Sequence, residues 1–133
     1  TFAVLRYVHD VVTGEFANVG VLLYAPEAKF LDARCVSTFG RLAAFFGTVD
    51  GDHFKRVMTH VAASVAALAD RQFSRLALFD QPPKDVTGCA KEILPPDDSS
   101  LQFSSPGAGF TMDPAETLRL LFDRYVERYG LTT

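Results

Sequence analysis

The sequence contains no tryptophan, only two cysteines and no long apolar run, and each shortage narrows what the chain is. No stretch approaches the roughly 20 consecutive apolar residues that a membrane-spanning helix needs. No membrane-spanning helix is expected in this sequence, and no membrane partner. No cleavable leader is visible, so the expected location is the cytoplasm. Cys35 and Cys89 stand far apart and outside any CxxC pair. Common zinc sites draw their ligands from such closely spaced pairs, and a chain with an adequate core needs no covalent staple. Two reduced, buried thiols are expected rather than a disulfide. His9, His53 and His60 are scattered, and the last two lie two helical turns apart, too far to share a metal. No metal and no other cofactor is expected. Basic residues are also scarce, with 13 Lys and Arg against 16 Asp and Glu and a formal net charge of −3. The densest basic cluster is the pair Lys55 and Arg56, too small a footprint for a phosphate backbone, so nucleic acid is not an expected partner. No GK[ST] or GxSxG stretch is present, and no Ser/His/Asp or Cys/His set stands out by spacing.

What is present suits one globular domain spanning residues 1–133. A chain of this length buries roughly two thirds of the surface it exposes when unfolded. Its apolar fraction of 48% and its 12 phenylalanines supply the material for a core.

Residues 2–8, "FAVLRYV", are rich in the β-branched and aromatic types that strands favour. A turn-friendly "HDVVTG" follows, then a second apolar stretch over 16–25 and a third over 30–36, where apolar and polar residues alternate. Together they predict an antiparallel meander. A short helical piece over 39–47 closes at Gly47. Over 53–70, Phe54, Val57, Met58, Val61, Val65, Leu68 and Ala69 recur at helical spacing and predict an amphipathic helix reaching toward Phe79. Prolines break the pattern at 80–85 and 95–100, around one or two helical turns in "VTGCAKEIL". "LQFS", 101–104, reads as a late strand, and "SPGAG" as a turn. A last helix is signalled by Asp113 as cap, Pro114 at its first position and Glu116 placed to reach back to the cap, with Gly130 as its stop. Strands followed by helices predict an α+β fold: a β-meander of about four strands with helices packed on one face.

The candidate site lies in "RYVHDVVTGEFANVGVLLY", where Arg6, Asp10, Glu15 and Asn18 crowd a segment that otherwise reads as core. If the hairpin pairs positions summing to 24, Arg6 stands opposite Asn18 and Val4 opposite Gly20; a one-residue slip breaks that pairing. A covered guanidinium needs acceptors, and the three other residues are the nearest. The group then serves either to fix the hairpin or to bind a ligand, carboxylate or phosphate. No catalytic residue is assigned.

The opening run "LRYVHDVVTGEFANVGVLLYAPEAKFL" resembles the start of a bacterial family catalogued as domain of unknown function 3037, which reads much like "RYVPDPVRGEFVNVGV". Arg6, Tyr7, Asp10, Gly14, Glu15, Phe16, Asn18, Val19, Gly20 and Val21 carry the resemblance, while His9 and Val11 stand where the family tends to have prolines. "DDSSLQFS" and "DPAETLRLLFDRYV" are similar to the family's closing strand and helix. The resemblance brings no activity with it. The neighbourhood of HipA-like kinases in which some members are encoded implies a regulatory setting. The reading is a non-catalytic protein-binding or regulatory module, with a HipA-like kinase as one implied partner. Two alternatives stay open: a small enzyme acting on a phosphorylated or nucleotide-like substrate through the polar group, and a self-assembling phage or mobile-element structural protein. Self-association is open in each.

Overall fold

The computed structural model describes residues 1–10, 15–36, 51–73, 85–93 and 101–127, with the side chains of 8–10, 15, 16, 51 and 72 outside that description. The expected turn at 11–14, the helical piece at 39–47, the extension toward Phe79, the proline breaks up to residue 84 and at 95–100, and the Gly130 stop all lie outside the described residues.

Strands β1 (Phe2–Asp10), β2 (Glu15–Ala25) and β3 (Phe30–Cys35) form the expected antiparallel meander. A 3₁₀ turn, Pro26–Ala28, joins the last two. Its exit residue Lys29 takes the left-handed conformation at φ 53°, and its backbone N–H donates to the Pro26 carbonyl. The short β4 (Leu101–Phe103) adds antiparallel to the free side of β1, giving the order β3-β2-β1-β4. Beyond it the chain keeps following β1. Phe2 and Gly107 exchange both backbone hydrogen bonds, at 2.9 and 2.8 Å. A Cβ on Gly107 would meet the Phe2 ring at 2.5 Å, so glycine is what lets the two chains approach.

Among the described residues three helices accompany the sheet: α1 (Gly51–Phe73), α2 (Val86–Ile93) and α3 (Pro114–Phe122), the last widening into a π-helical turn at Asp123–Glu127. Helix α1 buries Phe54, Met58, Val61, Val65 and Leu68, the stripe predicted from spacing, with Val57 and Ala69 half-covered at its margin. Asp85 caps α2 by accepting from the Gly88 N–H at 2.9 Å. Asp113 caps α3 by accepting from the Glu116 N–H at 3.2 Å. The Glu116 side chain does not return to the cap but pairs with Arg119, which holds its carboxyl below the ordinary value.

The helices do not share one face, and the expectation that they do is corrected here. Ala3, Leu5, Tyr7, Leu22, Tyr24 and Leu31 join the buried faces of α1 and α2 in one apolar cluster. Val21 and Leu23 join Leu118, Phe122 and Val126 of the last helix and its π turn in another. Successive residues of a strand point to opposite sides, so the two clusters lie on opposite faces of the sheet. The physical reason is in β2. Residues 19–24 are buried at every position, which leaves no wet face, as in strands covered on both sides.

A β-bulge positions the polar residues. Leu5 pairs with Gly20, yet Arg6 pairs with Asn18, so Val19 is an extra residue in β2. The expected Arg6–Asn18 pairing holds, but Val4 faces Val21 rather than Gly20. In an unbroken strand Asn18 would share the α1 side with Leu22 and Tyr24. Instead Val19 joins that cluster and Asn18 turns to the α3 side.

Candidate functional site

Arg6 and Asn18 are brought together across the β1–β2 pair, both half-buried, and the bulge turns Asn18 toward the end of α3. Asn18 Nδ2 donates to the backbone carbonyl of Tyr125 at 2.9 Å, across 107 residues of sequence. That carbonyl lies in the π-helical turn. Close to a helix end, carbonyls lose their regular intrahelical donors, and the Asn18 amide supplies a donor. Asn18 Oδ1 and Arg6 Nε are both buried. Oδ1 accepts no hydrogen bond among the described residues, whereas Arg6 does have an interaction partner. Asp10 and Glu15 pair through their backbones at the far end of the hairpin, and their side chains lie outside the description.

Gly20, in the middle of the NVGV stretch, serves close packing. A Cβ there would lie 2.7 Å from Cys35 Sγ and 3.1 Å from the Arg34 carbonyl oxygen. Cys35 and Cys89 are free, as expected. Burial pushes both thiols up from 9.0 to about 11, reinforced by Asp32 beside Cys35 and by Glu92 and Asp85 beside Cys89. A raised thiol pKa lowers the thiolate fraction on which cysteine reactivity depends.

Among the cavities lined by described residues are two of some size, and neither of these is lined by Arg6, Asp10, Glu15 or Asn18. The smaller, about 470 Å³, lies between β3 and α1 beside Cys35, Lys55 and Met58. The larger is a groove of about 580 Å³ at the other end of the sheet. Its walls are the start of β1, the end of β2 with the 3₁₀ turn, the 108–111 loop and the first turns of α3. Phe2, Leu23, Pro26, Phe110, Pro114 and Leu121 give it an apolar surface, and Glu27 is its one acidic residue. At this end Phe110 is 108% exposed and Met112 104%. Sequence reading missed both residues. The available signal was two large apolar side chains inside a Ser/Gly/Pro turn, on no helical or strand stripe. Among the described residues no group of three or more His, Cys, Asp or Glu side chains is placed to hold a metal ion, and no helix is long and apolar enough to cross a membrane.

The described residues form an α+β fold: a four-stranded antiparallel sheet between two helical layers, with an apolar groove at one end. A model for a family of proteins of unknown function, DUF3037, matches residues 2–126, and the chain belongs to that family. No curated protein and no solved structure matches it.

Proposed function

We propose that the domain is a non-catalytic protein-binding module whose contact face is the groove between the 3₁₀ turn and α3. The supporting observation is the pair Phe110 and Met112, wholly exposed beside a 580 Å³ apolar groove. Large apolar side chains in water beside an apolar hollow are the surface of a binding site rather than of a free monomer. In this reading Asn18 serves the fold rather than a ligand, supported by the hydrogen bond from its amide to the Tyr125 carbonyl in the π turn. A regulatory role, and the HipA-like kinase that the family resemblance implies as a partner, belong to this reading as candidates for the capture experiment.

The alternative, an enzyme working through Arg6, Asp10, Glu15 and Asn18 on a phosphorylated or nucleotide-like substrate, has one observation in its favour: the buried Asn18 Oδ1, to which no described residue donates. Capture of proteins by the immobilised chain separates the two. Phe110→Ser should abolish capture and leave the Tm unchanged. Asn18→Ala should lower the Tm and leave capture intact. Capture that survives Phe110→Ser, together with phosphoryl-ligand binding that Asn18→Ala removes at unchanged Tm, would overturn the binding-module reading.

A further inference from the structure

We infer that Met112 is a site of reversible oxidation, and that its sulfoxide turns the apolar face beside the groove polar and weakens apolar binding there. The second half rests on reading that face as a binding surface; the first half does not. The chain has two cysteines and two methionines, and all of them are among the described residues. Three of these four sulfurs are sheltered. Met58 is 8% exposed in the core that α1 covers. Cys89 is fully buried, and Cys35 packs half-buried against the same core. Both thiols also keep their protons up to about 11, and the thiolate is the reactive form. Met112 stands apart from them at 104% exposure. A thioether has no acidic proton, so access decides its reaction.

The fold itself holds Met112 out. Thr111 Oγ1 accepts from the Asp113 N–H at 3.0 Å, which closes a small turn around Met112. The same hydroxyl bonds the Thr117 hydroxyl on α3, and Asp113 caps that helix. Both neighbours of Met112 are therefore fixed to the start of α3, and the residue between them is left in water. It follows Thr111, which lines the groove, and lies two positions from Phe110, the other wholly exposed apolar side chain of this loop. Hydrogen peroxide balances the step. The sulfur lone pair attacks a peroxide oxygen, the O–O bond breaks and an S–O bond forms, giving the sulfoxide and water. A dithiol acting through a methionine sulfoxide reductase returns the thioether, with a disulfide and water as products. The new oxygen is an acceptor set among apolar groups. Anything apolar that covers it buries that acceptor without a donor, so binding weakens. Oxidation of Met58 would instead place the oxygen in the core and lower stability.

The test exposes the purified chain to hydrogen peroxide at neutral pH and follows each sulfur by peptide mass spectrometry. Met112 should react at least about tenfold faster than Met58 and before either thiol, with the Tm unchanged. Nile red, a neutral apolar dye, then probes the groove face. Its affinity should fall roughly tenfold on oxidation, as one acceptor buried without a donor implies. A methionine sulfoxide reductase with dithiothreitol should restore it. The Met112→Leu chain should show a single affinity, the same before and after peroxide. Met58 or a thiol reacting as fast as Met112 overturns the inference. So does dye binding indifferent to oxidation, or a peroxide effect that persists in the Met112→Leu chain. If oxidation leaves unchanged the protein capture that Phe110→Ser abolishes, the inference falls and the binding-module reading stands. If Met112 reacts first but the reduced chain binds neither dye nor protein, the binding-module reading falls and the switch falls with it.

Discussion

Replacing Gly20 by Ala puts a methyl group 2.7 Å from Cys35 Sγ and 3.1 Å from the Arg34 carbonyl oxygen. Alanine by itself favours the folded state by about 0.5–1 kcal/mol, because the unfolded chain has less freedom to lose. Overpacking opposes it with about 1–3 kcal/mol. The thiol can swing to another staggered rotamer, which lowers the cost, but the Arg34 carbonyl belongs to a paired strand and cannot yield. The net expectation is a loss of roughly 0.5–1.5 kcal/mol. Cys35→Ala removes the nearest clashing atom, so Gly20→Ala should be at least about 0.5 kcal/mol cheaper in that background, a coupling typical of residues in contact. Urea unfolding of the four chains, at constant m-value, reads the cycle. Equal costs in both backgrounds would show that Cys35 does not impose the glycine. A Gly20→Ala chain more stable than the parent would show that no close approach exists there.

The two-faced packing predicts a sharp contrast along α3. Phe122 is buried against Val21 and Leu23 with the Arg34 guanidinium over its ring at 5.3 Å, so Phe122→Ala should cost about 3–5 kcal/mol. Leu120 is 53% exposed on the same helix, and Leu120→Ala should cost about 0.5 kcal/mol or less. Similar costs in denaturant unfolding would contradict a second core on that side of the sheet. The thiols predict a pH dependence. Both hold their protons up to about 11 in the folded chain against 9.0 ordinarily. Between those values the unfolded chain binds fewer protons than the folded one, so stability should fall as pH rises through that window. Their contribution is fully present below pH 9. The chain with both cysteines replaced by Ala should show a shallower decline in Tm over the same range. An identical decline would assign the effect to other groups.

Much of the local architecture was legible in the order of residues. The stripe from Phe54 to Leu68 made α1 readable, because a helix repeats every 3.6 residues whatever it packs against. Asp113, Pro114 and Glu116 marked the start of α3, because capping is a contact between near neighbours. The three N-terminal strands followed from composition and turns in the same way. Of the candidate site, the Arg6–Asn18 pairing was readable from the hairpin, while the task of Asn18 and the groove at the other end were not.

What depended on groups far apart in the chain was decided only in three dimensions. Local pattern shows which residues resist water but not what will cover them, so the burial of β2 on both faces waited on α3, about a hundred residues away. The one-residue bulge at Val19 is set by strand pairing and side-chain fit across the sheet, and that single residue reverses which face Asn18 meets. Asn18 thereby reaches the Tyr125 carbonyl, a hydrogen bond spanning 107 positions that no periodicity encodes. The groove is likewise assembled from four separated segments. Phe110 and Met112 belong to no stripe, and only the folded surface shows them standing in water beside an apolar hollow.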